Sequence, residues 1–227
     1  MSLRALAAAL GLAAALLLGG CSSAGQSGPA PGCASAASPC LDGAATVAIT
    51  TSKGEVRLEL DGEAAPLTAG NFLDLVRRGA YDGTAFHRVV RQPSPFVVQG
   101  GDPLSANPVT PVSQYGSGSF IDPDSGQARL IPLEVKLSGE EAPRYGEVLT
   151  NPAVTRELVL PHQRGAVAMA RSSDPDSASA QFYVALQALP ELDGRYAVFA
   201  RVSSGMEVID RIQQGDRIVR ATVVTGG

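Results

Sequence analysis

Short runs rich in β-branched and aromatic residues recur along the chain from about residue 45, and only two stretches carry a helical period. Thr46 to Thr51 and Glu55 to Leu60 flank Ser52-Lys53-Gly54, which predicts a hairpin with glycine in its loop. Phe86 to Val90 and the run from Phe96 predict two neighbouring strands, and Gly165 to Arg171, Gln181 to Leu186, Ala197 to Val202 and Arg217 to Thr225 predict four more. A helix is expected from Pro66, which suits a first turn, to about Arg78, with Phe72, Leu75 and Val76 on one face and Gly79 as the stop. A second is expected from Gly205 to Gln214, built on Met206, Val208, Ile209 and Ile212 and closed by Gly215. Many short strands and two helices predict a mainly all-β fold, a closed antiparallel barrel capped by the helices.

Residues 1–20 change the picture, because they hold Arg4, an apolar run of 14 residues from Ala5 to Leu18, and then Gly19-Gly20 before Cys21. The run is shorter than the ~20 residues of a membrane span and reads as a secretion signal. Leu18-Gly19-Gly20-Cys21 resembles the bacterial lipobox, in which Cys21 receives a diacylglyceryl group and becomes the new N-terminus; the other reading is an ordinary signal peptide with an incidental cysteine. With two or more acyl chains the protein would be exported and lipid-anchored to the cell membrane, on its extracytoplasmic or periplasmic face. Residues 21–40 are Ser, Ala, Gly and Pro without a large apolar side chain, a tether whose flexible reach would be about 25 Å. Cys33 and Cys40 lie in it, either as a small disulfide loop or as two free thiols.

The folded domain is expected over residues 41–227. Composition allows it, since 44% of the 227 residues are hydrophobic and 18% charged. A net charge of −4 leaves no basic stripe for nucleic acid. Only Lys53 and Lys136 are lysines, which we attribute to genome composition. Residues 103–164 hold eight of the sixteen prolines and read mostly as surface loops, with Ile131 to Leu137 as a candidate strand. They are either a tolerated insertion or an element beside a binding groove. Asp122-Pro123-Asp124 lacks the spacing and the closing Glu of a calcium loop. His87, His162 and scattered cysteines make no zinc set, and neither a nucleophile elbow nor a phosphate-binding glycine loop occurs. No metal or cofactor is expected.

Alternation through Phe86-His87-Arg88-Val89-Val90 places Arg88 on the same face as Phe86 and Val90, so a guanidinium that cannot lose its charge is expected on a core face, with Gln99 to orient it. Tyr81 to Val89, Phe96 to Asp102, Gly165 to Arg171, Gln181-Phe182-Tyr183 and Leu192 to Phe199 resemble, in order, the signature blocks of the cyclophilins, over about residues 45 to 225. The resemblance implies an eight-stranded barrel and peptidyl-prolyl cis-trans isomerase activity on proline-containing polypeptides, carried out by a monomer. By resemblance Arg88 is catalytic; Phe96, Val97, Tyr183 and Leu192 line the proline pocket with His87 and Tyr196 beside it. Gln99 would hold Arg88, Gln181 would meet the substrate backbone, and Ala170 and Arg171 would present main-chain groups. Plain barrel packing is the other reading for Phe96, and a surface strand position for His87. Tyr183 stands where many relatives have Phe, Tyr196 where many have His, and Glu191 where cyclosporin-sensitive members have Trp, which predicts weak cyclosporin inhibition. The rival function is a non-catalytic module that binds proline-containing segments in the same groove.

Overall fold

The structure, a computed structural model, describes residues 32–33 and 39–227. The signal segment and Cys21 lie outside the described residues. The chain runs β1 (Ala44–Thr51), β2 (Gly54–Asp61), α1 (Pro66–Arg77), β3 (Arg88–Val89), β4 (Val97–Gly100), β5 (Glu134–Val135), β6 (Arg144–Tyr145), α2 (Pro152–Thr155), β7 (Ala166–Met169), β8 (Phe182–Ala185), β9 (Val198–Ser204), α3 (Met206–Arg211) and β10 (Ile218–Gly226). Among these, β10-β1-β2-β9-β7-β8-β4-β3 form one antiparallel sheet, and β5 pairs with β6 alone. Among the described residues no helix is long and apolar enough to cross a membrane.

The sheet curls around one core but does not close into the expected barrel. Its end strands β10 and β3 share no ladder. Ala85 and Arg217 make a single bridge between them, with Phe86 N–H donating to the Asp216 carbonyl at 2.8 Å and Gly215 N–H to the Phe86 carbonyl at 3.0 Å. These contacts come from residues 83–86, which precede β3, and β3 itself has only two residues, both paired with β4. The result is an open half-barrel.

Helix α1 fills the curl. Leu67, Phe72, Leu75 and Val76 are buried, and the Phe72 ring lies 4.9 Å from Tyr81, 5.4 Å from Phe182 and 5.0 Å from Phe199. Such clustered rings add about 0.5–1.5 kcal/mol per pair beyond their buried area. Gly79 ends the helix with φ +68°, as its position in the sequence predicts. The start has no local side-chain cap. Leu67 and Thr68 N–H groups donate instead to the Glu134 carboxylate at 3.1 and 2.7 Å, so residues 103–164 supply the acceptor that Ala65 lacks. Helix α3 is shorter than predicted because the Arg91 guanidinium takes the Ile209 and Ile212 carbonyls, both at 2.9 Å.

The strand expected over Ile131 to Leu137 is reduced to Glu134 and Val135, since Ile131 bridges to Ala178 and Leu137 to Leu158. Leu133, Val135, Leu137, Leu149, Leu158 and Ala197 form a small core of their own, so this region is ordered by packing. Asp122 serves Arg129, 2.7 Å away; the same guanidinium meets Asp74 at 2.6 Å and stacks over Phe120. Cys33 and Cys40 form a disulfide with Cα atoms 5.7 Å apart. The end of the expected tether is thus fastened to the domain: Leu41 N–H donates to the Pro66 carbonyl at 3.0 Å, and a Cβ on Gly70 would stand 2.6 Å from Cys40 Cα.

Candidate active site

Register assembles the site. Arg88 lies opposite Gln99, Gln99 opposite Tyr183, and Tyr183 opposite Ala168, so one row crosses β3, β4, β8 and β7 on the face away from the core. Val97 and Gln181, two residues from members of that row, share the face, while Val98, Phe182 and Val184 point into the curl. The outward face buries a second apolar cluster of Val97, Ala166, Ala168, Tyr183, Ala185, Leu189 and Val198, with Phe96, Leu192 and Tyr196 packed on it. That cluster floors a pocket of ≈ 240 Å³ lined by Arg88, Phe96, Val97, Gln99, Ala170, Arg171, Tyr183, Leu192 and Tyr196. The pocket lies at or below the smallest sites for drug-sized ligands, about 300 Å³, and suits one apolar side chain.

Arg88 is exposed at the pocket mouth, which corrects the expectation that it shares the core face with Phe86. Phe86 precedes β3 and is not in its pleat, so the two-residue period does not carry across. The Arg88 Nη1 donates to Gln99 Oε1 at a long 3.4 Å, and its guanidinium stands 5.6 Å from the Phe96 ring centre. Gln99 Nε2 donates to Gln181 Oε1 at 3.3 Å, and Gln181 Nε2 to the Gly118 carbonyl at 2.9 Å. Among the described residues no carboxylate lies within ion-pair distance of Arg88.

Phe96 is half-buried in the pocket wall and is not inner-core packing. Val90 accepts its N–H at 3.0 Å and Leu186 donates to its carbonyl at 2.8 Å, which places the ring despite the long preceding loop. Tyr183 and Tyr196 meet edge to face at 5.8 Å. The Arg171 side chain lies over Tyr196 and donates to the Arg195 carbonyl at 2.8 Å, so it braces that ring. The Ala170 N–H is used by the Gln181 carbonyl at 2.8 Å.

Two of the expected site residues stand beside the proline pocket and not in its wall. His87 is not in the pocket wall; its half-buried ring lies against Gly116, no partner among the described residues meets hydrogen-bond geometry at either ring nitrogen, and loss of solvent lowers its pKa, partly offset by the Asp102 carboxylate and by weak contacts with Ala85 and Gln181. Gln181 lines an adjoining cavity of ≈ 260 Å³ that shares Gln99, Ala170 and Arg171 with the pocket. Gly116 to Ser119, Ser172, Ser177 and Ser179 complete that cavity, and no local pattern marked them. The buried Asp102 carboxylate holds this loop, accepting from Leu104 N–H at 2.9 Å and Gly116 N–H at 2.5 Å. Sequence reasoning also passed over His162 and Asp193, which stand behind Tyr183; His162 sits in a loop where no periodicity signals a role. Among the described residues no group of three His, Cys, Asp or Glu could hold a metal ion.

Comparison with known proteins agrees with this architecture. Residues 46–225 match the profile of the cyclophilin type peptidyl-prolyl cis-trans isomerase/CLD family. A Synechocystis sp. protein bearing the name of a thylakoid lumen peptidyl-prolyl cis-trans isomerase is 40% identical over 198 residues, covering 83% of this chain and 49% of that protein. A chloroplastic peptidyl-prolyl cis-trans isomerase of Arabidopsis thaliana is 38% identical, over 75% of this chain and 38% of its own. The chain therefore spans about half or less of the length of these two relatives. A Helicobacter pylori peptidyl-prolyl cis-trans isomerase is 33% identical over 75% of this chain and 81% of that protein. The fold is shared with the crystal structure of a cyclophilin from Hirschia baltica (TM-score 0.53, 25% identity, 81% of this chain and 75% of that one). It is shared also with a Cryptosporidium parvum cyclophilin type isomerase crystallised in the presence of the dipeptide Ala-Pro (TM-score 0.56, 23% identity, 80% and 99% covered). Matched over most of its described length, the chain belongs to the cyclophilin-type peptidyl-prolyl cis-trans isomerase family.

Proposed function

We propose that this protein accelerates cis-trans rotation about X-Pro bonds, seating the proline ring between Phe96, Val97, Tyr183, Leu192 and Tyr196 with Arg88 at the prolyl nitrogen. The observation that carries this reading is a guanidinium that has no carboxylate partner among the described residues, at the mouth of an apolar pocket and steered by Gln99. Rotation must break amide resonance, a barrier of about 18–20 kcal/mol. In the twisted state the prolyl nitrogen becomes pyramidal and regains its lone pair, so a fixed cationic donor binds that state better than either planar one. Reaching a millisecond from tens of seconds takes four to five decades, about 5.5–7 kcal/mol. One charge-assisted hydrogen bond nets about 1.5–3 kcal/mol, and a water-poor pocket with preset dipoles supplies the remainder.

The adjoining cavity supports a further reading of residues 103–164. Gly116 to Ser119 wall the groove beside the pocket, so part of this region acts as an element that selects what precedes the proline. Clients are exported polypeptides met outside the cytoplasm by a monomer held to the membrane through lipid on Cys21. The lipobox-like Leu18 to Cys21 and relatives named for the thylakoid lumen and chloroplast support that placement. Exchange NMR on an Ala-Pro peptide tests the activity. Wild type is expected to broaden the cis and trans signals and Arg88→Ala to leave them sharp; equal peptide binding by both without faster exchange would reduce the groove to a docking site. Labelled fatty acid incorporated by wild type and lost in Cys21→Ala tests the anchor.

A further inference from the structure

Behind the pocket lies a buried chain of polar groups that the proposed reaction does not use. The Tyr183 ring lines the pocket while its hydroxyl points the other way, 2.9 Å from His162 Nε2. His162 Nδ1 stands 2.8 Å from Asp193 Oδ1, and the His162 backbone N–H donates to the same oxygen at 2.8 Å. The His162 carbonyl accepts from Leu189 N–H at 2.8 Å. His162 is 2% exposed, so it meets neither solvent nor substrate. Asp193 directly follows Leu192, which forms another pocket wall.

A carboxylate only accepts, so Nδ1 of His162 carries a proton, and in the neutral ring Nε2 is left as an acceptor. The phenol then donates. Burial raises the Tyr183 pKa well above the usual value, which keeps that proton in place. We propose that His162 is a positioning residue of the proline pocket: it holds the Tyr183 hydroxyl outside the pocket and ties that ring to the Leu192 turn, with Asp193 setting its tautomer. Tyrosine thereby presents only its ring to the proline. Without the imidazole acceptor the hydroxyl would be buried unpaired and would turn toward the pocket mouth for water, narrowing the space.

This inference rests on the isomerase reading and is tested separately from it. Full-length wild type, His162→Leu, Tyr183→Phe and the double variant are compared by exchange NMR and peptide titration. His162→Leu alone is expected to lower kcat/KM about tenfold, chiefly through KM, as one buried hydroxyl loses its partner. In the Tyr183→Phe background the same change is expected to cost less than about twofold, because no hydroxyl remains to satisfy. Equal losses in both backgrounds would overturn the inference. If wild type fails to speed exchange, the isomerase reading falls, and the same cycle is read on the peptide Kd with the same two outcomes. If His162→Leu does not fold, ¹⁵N NMR of the wild-type imidazole decides: protonation on Nδ1 with Nε2 as acceptor is expected, and a proton on Nε2 would overturn it.

Discussion

Replacing Glu134 by Ala tests how residues 103–164 are joined to the barrel. Glu134 is 1% exposed, and its carboxylate accepts from the first-turn amides of Leu67 and Thr68 at 3.1 and 2.7 Å. Each buried N–H left without an acceptor costs about 1–3 kcal/mol, and a carboxylate at a helix N-terminus contributes up to ~2 kcal/mol. Against this stands the cost of burying a charge, which the variant recovers. A net loss of about 2–4 kcal/mol at neutral pH follows, or roughly 5–15 °C in Tm for a chain of this size. The pH dependence has a definite sign. Burial raises the Glu134 carboxyl above its ordinary value despite its hydrogen bonds, so the folded state holds the proton more tightly than the unfolded state. Its stabilising contribution is then complete below about pH 4 and declines as pH rises through the raised pKa. Urea denaturation of wild type and Glu134→Ala at several pH values should show the deficit largest in acid and smaller at neutrality. A deficit below ~0.5 kcal/mol, or one that grows with pH, would refute the reasoning.

Gln99→Leu should lower kcat/KM about threefold to tenfold through loss of guanidinium orientation; an unchanged rate would mean that the 3.4 Å contact does not steer Arg88. Arg129→Ala should lower the urea midpoint, because Asp122 loses its ion-pair partner and Asp74 is left with Arg78 alone, and an unchanged midpoint would contradict this. Cyclosporin should inhibit the wild type weakly and Glu191→Trp more strongly, because Glu191 is exposed beside Leu192 of the pocket and offers no indole; equal inhibition constants would contradict the assignment.

The elements were readable where local rules act alone. Pro66 and Gly79 mark the ends of α1 because a missing N–H and a positive φ are properties of those residues. Most of the pocket was legible through resemblance, and Phe96, Val97, Tyr183, Leu192 and Tyr196 do converge. His87, expected beside the pocket, stays out of its wall because a ring one residue from Arg88 points to another face, a fact that depends on where β3 begins.

The amino-acid sequence by itself determined where β1, β2, α1 and the strands from Ala166 onward lie and which residue types can meet a proline, since both follow from pattern and chemistry within each segment. Tertiary structure alone decided that the sheet stays open, that Arg88 faces solvent instead of the core, and that Cys33 joins Cys40. It also brought Glu134 to the amides of α1 and His162 between Tyr183 and Asp193. Apart from the disulfide, which closes a loop between residues seven apart, those outcomes depend on register and on contacts between distant segments, and no local pattern encodes where two such segments will meet.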